Sequence, residues 1–135
     1  MRLPCLLGTA LFALALGGCA EPPYTNVDNA GLKALTAKGV PLYDIRRPDE
    51  WRSTGVVEGS RTLTYLDASG RPHPEFLPRF TAEVGKDDPV VLICRTGSRT
   101  DALARELAEQ GYTQVYNVRN GITRWIGEDN PVVRN

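Results

Sequence analysis

No charge of either sign predominates in this chain: sixteen Lys and Arg stand against sixteen Asp and Glu in 135 residues, with no long run of either. That balance leaves no electrostatic footprint for nucleic acid. No apolar run reaches the roughly 20 residues that carry a helix across a bilayer, and the longest, within Leu3 to Leu16, is about a dozen. Histidine is nearly absent. The single one, His73, lies between two prolines in a polar stretch, so it is expected in solvent and not as a general base. Cysteine is scarce too, with three in all. No internal repeat is present, and the apolar fraction is that of an ordinary globular domain.

The first 19 residues differ from the rest. Met1-Arg2 precedes a Leu- and Ala-dominated run, which ends in Leu16-Gly17-Gly18-Cys19. A run of this length between a basic start and small residues reads as a signal segment. The tetrad resembles the bacterial lipobox, in which the Cys is lipidated and becomes the first mature residue; a plain cleaved signal is the alternative. The expected organisation is a signal peptide at 1–18, a lipidated Cys19 with a short tether at 19–27, a single domain at 28–130 and a polar tail at 131–135. More than one acyl chain would anchor the domain stably to a membrane. Export to the bacterial periplasm follows, and Ala20 in place of the retaining Asp points to the outer membrane. Cys5 leaves with the signal and Cys19 is consumed by the lipid, so Cys94 is the one thiol of the mature protein and has no internal partner for a disulfide.

Beyond the tether, strand and helix patterns alternate. Asp28 to Gly39 has a capping residue, Leu32 and Leu35 on helical spacing and a terminating glycine. Val40 to Arg46 reads as a strand with Asp44 and Arg46 on one face. Pro48 to Arg52 starts a helical turn, with proline and acids where a helix amino terminus favours them. Thr62 to Leu66 alternates as a short strand. Pro74 to Val84 places Phe76, Leu77, Phe80 and Val84 on one helical face, with Pro78 early enough for a first turn. Val115 to Val118 is a strand and Gly121 to Ile126 a last helix. Alternation of this kind implies an α/β fold: a mostly parallel central sheet with helices on both faces, in three layers.

The chain is organised around Val90-Val91-Leu92-Ile93-Cys94-Arg95-Thr96-Gly97-Ser98-Arg99. Four aliphatic residues in succession fit a strand buried on both faces. The helical pattern with Ala102, Leu103 and Leu107, stopped by Gly111, follows the loop. The thiol thus sits at the carboxyl end of a strand, where open α/β sheets bind ligands, facing the unpaired N–H groups of a helix amino terminus. Cations beside it and that helix end both favour its thiolate form. Backbone amides around Thr96-Gly97-Ser98 can curl into an anion-binding concavity, and Gly97 supplies the permissive backbone.

Cys94-Arg95-Thr96-Gly97-Ser98-Arg99 resembles the active-site loop of the rhodanese family of sulfurtransferases. Asp44-Ile45-Arg46 with Asp49-Glu50-Trp51 is similar to its amino-terminal pattern, and Asn117 to Trp125 to its carboxy-terminal one. The group most resembled is that of small single-domain exported bacterial members. The chain departs where the family often has Gly-His-Ile leading to Gly-Ala: here Gly55-Val56-Val57 leads to Gly59-Ser60. The resemblance implies covalent catalysis, in which Cys94 takes a sulfane sulfur from a small anion such as thiosulfate, holds it as a persulfide and passes it to cyanide or a thiol. It implies no cofactor and no metal.

Arg95, Thr96, Gly97, Ser98 and Arg99 are then the substrate-binding loop. Arg99 is expected to pair with Asp44 or Glu50, and Asp44, Arg46 and Glu50 to brace the loop. Arg46 is given a structural role; Trp51 and Trp125 are core anchors. Two other functions are open. A phosphatase or arsenate reductase would need the wider Cys-x5-Arg ring, whereas Cys94 to Arg99 is Cys-x4-Arg, a loop better matched to one sulfur atom. The intact Cys94 argues against an inert partner-binding module and leaves open a sulfur carrier without turnover.

Overall fold

The computed structural model describes Gly18 and residues 20–134. The expected signal peptide and Cys19 lie outside the described residues, apart from Gly18. Five strands form one sheet in the order β1-β5-β4-β2-β3: β1 (Thr25–Val27), β2 (Leu42–Asp44), β3 (Arg61–Thr62), β4 (Val90–Ile93) and β5 (Val115–Val118). Every ladder is parallel, so each connection must cross over, and helices do the crossing. They are α1 (Asn29–Ala37), α2 (Pro48–Thr54), α3 (Phe76–Glu83), α4 (Ser98–Glu109) and α5 (Gly121–Gly127).

The position of β4 explains its composition. It lies third of the five strands, and all four residues are buried, so neither of its faces meets water and no polar alternation survives. Val90, Leu92 and Cys94 join Phe76 and Phe80 of α3 and Leu103, Ala104 and Leu107 of α4 in one cluster. Val91 and Ile93 pack on the other side with Leu32 of α1 and Ile122 and Trp125 of α5. These two clusters are the interfaces of three layers, as expected. The α3 side is aromatic: Tyr43 meets the edge of Phe80 at 5.1 Å, and Phe76 stacks on Phe80 at 5.5 Å. Each such buried side chain contributes about 1.5–3 kcal/mol relative to exposure.

Three local expectations change. Thr25–Val27, expected in the tether, pair in register with Tyr116, Asn117 and Val118 as an edge strand. One exposed and two half-buried residues after two prolines carry no periodicity; the free edge of β5 supplies their partners. Residues in the polar tail are docked, with Val133 bridging Val56 in both directions at 2.8 and 2.9 Å and Val132 packed on the α1/α5 cluster. The strand expected at Thr62 to Leu66 is shorter, although Leu63 and Tyr65 still donate to the carbonyls of Asp44 and Ile45. His73 is exposed, as expected. Among the described residues no helix is long and apolar enough to cross a membrane.

Candidate active site

Cys94 follows β4 directly, and the chain turns at once into α4 through Arg95-Thr96-Gly97. Gly97 makes the turn possible. Its φ of 98° is left-handed, a conformation costly for any residue with a Cβ, and it swings its N–H onto Cys94 Sγ at 3.1 Å. The sulfur also meets Thr100 Oγ1 at 3.3 Å. Among the described residues the amides of Thr96, Ser98 and Arg99 have no protein acceptor, leaving the helix start open to an anion.

The polar residues after Cys94 place it at the boundary of core and loop, yet it is only 1% exposed and belongs to the α3/α4 cluster. The pleat causes this, because Cys94 continues the same face as Val90 and Leu92. It is nevertheless not held as an apolar side chain, since two polar groups contact its sulfur.

The loop is fixed from behind by α5. The N–H groups of Ile122 and Thr123 donate to the carbonyls of Cys94 and Arg95 at 2.9 and 3.1 Å. With those carbonyls turned away, the loop's amides are free to face the opposite side. This approach requires Gly121, whose φ is 56° and whose missing Cβ would land on the carbonyl oxygens of Cys94 and Arg95.

From the front the loop is braced by α2. Arg99 forks onto Glu50 with two bonds of 2.7 and 2.8 Å, one of the two partners expected for it. The Arg99 bonds, with the Arg47 amide and both arginine charges, outweigh burial and hold the Glu50 carboxyl down at about 2. Glu50 in turn raises Arg99 above its ordinary value. The other expected partner, Asp44, is taken by Arg46, with bonds of 2.7 and 2.9 Å between side chains that are 0% and 1% exposed. Arg46 also donates to Thr54 Oγ1 and to the carbonyl of Gly55, so a fully buried charge pair ties the end of β2 to the carboxyl end of α2. Asp49 is paired with Arg47. Trp51 departs from its expected core role: half-buried and outside both clusters, it donates Nε1–H to Asp44 Oδ1 at 3.1 Å. Trp125 is 5% exposed and does anchor the core.

Arg47, Glu50, Arg95, Thr96, Ser98 and Arg99 line a cavity of about 490 Å³ over the loop. Three guanidinium groups against one carboxylate leave its lining net positive. Arg95 is exposed and makes no ion pair among the described residues. Among the described residues no cluster of metal-ligating side chains occurs. Sequence reasoning missed Thr100 and the role of Gly121; only the Asn-Gly pair at 120–121 signalled a left-handed turn there.

A parallel α/β sheet with a thiol at the carboxyl end of its middle strand, cradled by amides and braced by arginine, defines a class of thiol-loop proteins. Within it the family is clear: the model described as "Rhodanese-like domain" matches residues 28–128, and the chain belongs to that family. It is similar to a protein named "Sulfurtransferase" from Allochromatium vinosum, 32% identical over 109 residues, covering 79% of this chain and 92% of that one. "Thiosulfate sulfurtransferase GlpE" of Pseudoalteromonas translucida is 29% identical over 94 residues, covering 70% and 80%. The crystal structure of a rhodanese-related protein from Thermoplasma volcanium superposes with a TM-score of 0.66 at 26% identity, covering 83% of this chain and all of that one.

Proposed function

We propose that the protein is a sulfurtransferase that moves a sulfane sulfur from an anionic donor such as thiosulfate, through a Cys94 persulfide, to a thiophilic acceptor. The observation that carries this reading is the cradle itself: a sulfur atom contacted by the Gly97 amide and the Thr100 hydroxyl, beneath an arginine-lined mouth. The Cys94 thiolate attacks the outer sulfur of thiosulfate, the S–S bond of the donor breaks, and sulfite leaves with its electron pair. The new terminal sulfur lies where the unpaired amides of Thr96, Ser98 and Arg99 can receive it. Cyanide or a thiol then attacks that sulfur and Cys94 is regenerated. The names of the relatives support the same chemistry.

Arg95, Thr96, Gly97, Ser98 and Arg99 bind the substrate in this reading, and Asp44, Arg46 and Glu50 hold the loop in shape. Export through the leading segment and anchoring at Cys19 complete the proposal, placing the domain at a periplasmic membrane face, the outer membrane favoured by Ala20. Incubation with thiosulfate should add one sulfur to the intact mass, and cyanide should release it as thiocyanate, with neither event in Cys94→Ser. No added sulfur would sink the reading, and added sulfur without thiocyanate would leave a carrier. Labelling with palmitate should mark the wild type and spare Cys19→Ala; equal labelling would defeat the anchor.

A further inference from the structure

The hydroxyls of Thr36, Thr54 and Thr81, each within a helix, donate to two backbone carbonyls apiece. Thr36 bonds the carbonyls of Leu32 and Lys33, Thr81 those of Leu77 and Pro78, and Thr54 those of Glu50 and Gly55. Thr100, in the first turn of α4, reaches only one carbonyl, that of Gly97 at 3.1 Å. Its second contact is Cys94 Sγ at 3.3 Å. The side chain is 0% exposed, so no water competes for it.

A hydroxyl has one proton and can accept as well as donate. With Cys94 as a thiol, S–H donates to Thr100 Oγ1 and Thr100 O–H donates to Gly97. With a thiolate the sulfur only accepts, and Thr100 O–H must turn to it or leave it with the Gly97 amide alone. Arg99 is committed to Glu50, so the sulfur's direct contacts are these two donors. We propose that Thr100 is a catalytic residue: its hydroxyl turns from the Gly97 carbonyl to Cys94 Sγ when that sulfur carries negative charge, stabilising the Cys94 thiolate as leaving group during persulfide discharge.

This role rests on the persulfide reading. In discharge an acceptor thiolate attacks the outer sulfur of Cys94–S–SH, a new S–S bond forms between acceptor and outer sulfur, and the pair of the broken bond passes to Cys94 Sγ. A leaving thiolate of lower basicity departs faster, and a buried hydrogen bond to a charged atom lowers it. Arg99 is the charged group that interacts with Cys94 through its charge; held by Glu50, it is untouched by a change at Thr100.

The test loads wild type, Thr100→Val and Thr100→Ser with one sulfur from thiosulfate and follows discharge by cyanide in a single turnover. Val keeps the shape and loses the hydroxyl; Ser keeps the hydroxyl. Thr100→Val should discharge about tenfold more slowly, the loss expected for one hydrogen bond to a charged group, and Thr100→Ser should restore most of the rate. Discharge of Thr100→Val at the wild-type rate, or equal slowing of both variants, would overturn the role. Thr100→Ala serves in place of Val should Val not fold. A wild type that takes up no sulfur would defeat the sulfurtransferase reading, and the thiolate contact is then read separately from the pH profile of thiolate ultraviolet absorbance. That profile should move to higher pH in Thr100→Val and return in Thr100→Ser; identical profiles would exclude the contact.

Discussion

The guanidinium of Arg99 and the carboxylate of Glu50, 49 residues apart in the chain, meet in a forked ion pair of 2.7 and 2.8 Å across the mouth of the candidate site. Both side chains are mostly covered, 19% and 14% exposed, so solvent screens the pair only in part. Glu50 titrates at about 2 in the folded protein against 4.5 for a free glutamate. A lowered carboxyl stabilises the fold fully above the unfolded value and loses that contribution as pH falls from about 4.5 towards 2. Glu50→Gln should cost about 1–2 kcal/mol at neutral pH, between an exposed and a buried pair. Urea unfolding of both proteins at pH 7 and near pH 3 checks the sign: the gap should narrow in acid, and a constant gap would show that the charge does not matter.

Short, chemically marked stretches are what the chain makes legible without its structure. Cys94, Gly97 and Arg99 announce a turn with a thiol, and four aliphatic residues before them announce a strand buried on both sides. Glu50 is one of two candidate partners for Arg99, because the sequence does not show that Asp44 is taken by its neighbour Arg46. Thr25–Val27 is not legible, since an edge strand of three residues is made by the neighbour it pairs with. Thr100 is hidden differently: it looks like any buried helical residue until the sulfur is seen beside it. The burial of Cys94 follows from strand alternation, yet the polar residues after it argue for exposure.

Arg46 presents a second pair, this one wholly buried with Asp44. Arg46→Ala would leave the Asp44 carboxylate with only the Trp51 indole N–H and the backbone amide of residue 46. A loss of about 3–5 kcal/mol is expected for an uncompensated buried charge. The double variant Asp44→Ala with Arg46→Ala should lose less than the sum of the two single changes. Chemical denaturation of the four proteins measures this, and strict additivity would contradict a coupled pair.

Arg95 is the counter-case, an exposed cation of the cavity with no ion pair among the described residues. Removing it should leave stability alone and weaken capture of an anion. Arg95→Ala is expected to raise the KM for thiosulfate by about 3–10-fold at low salt with a thermal midpoint close to wild type. Added salt should shrink the difference, because an exposed charge is screened over a Debye length. A KM unchanged at low salt would place Arg95 outside the donor's path.

Gly121 gives the sharpest test of how the loop is held. Asn120 and Gly121 are both left-handed, with φ of 64° and 56°, and this pair of turns brings the amides of Ile122 and Thr123 onto the carbonyls of Cys94 and Arg95. A Cβ on Gly121 meets the backbone of Cys94 and Arg95, which cannot swing aside as a flexible side chain could. Gly121→Ala should therefore cost about 2–4 kcal/mol from strain and overlap and slow sulfur loading of Cys94, because the carbonyls that α5 pins back would shift. Gly127 ends the same helix, and a Cβ there would meet nothing within 4 Å. Gly127→Ala should be neutral or stabilising by up to about 1 kcal/mol. Urea unfolding and the rate of sulfur uptake, measured side by side, separate the two sites. Equal stability and equal loading in both variants would mean that the close approach of α5 does not shape the thiol loop.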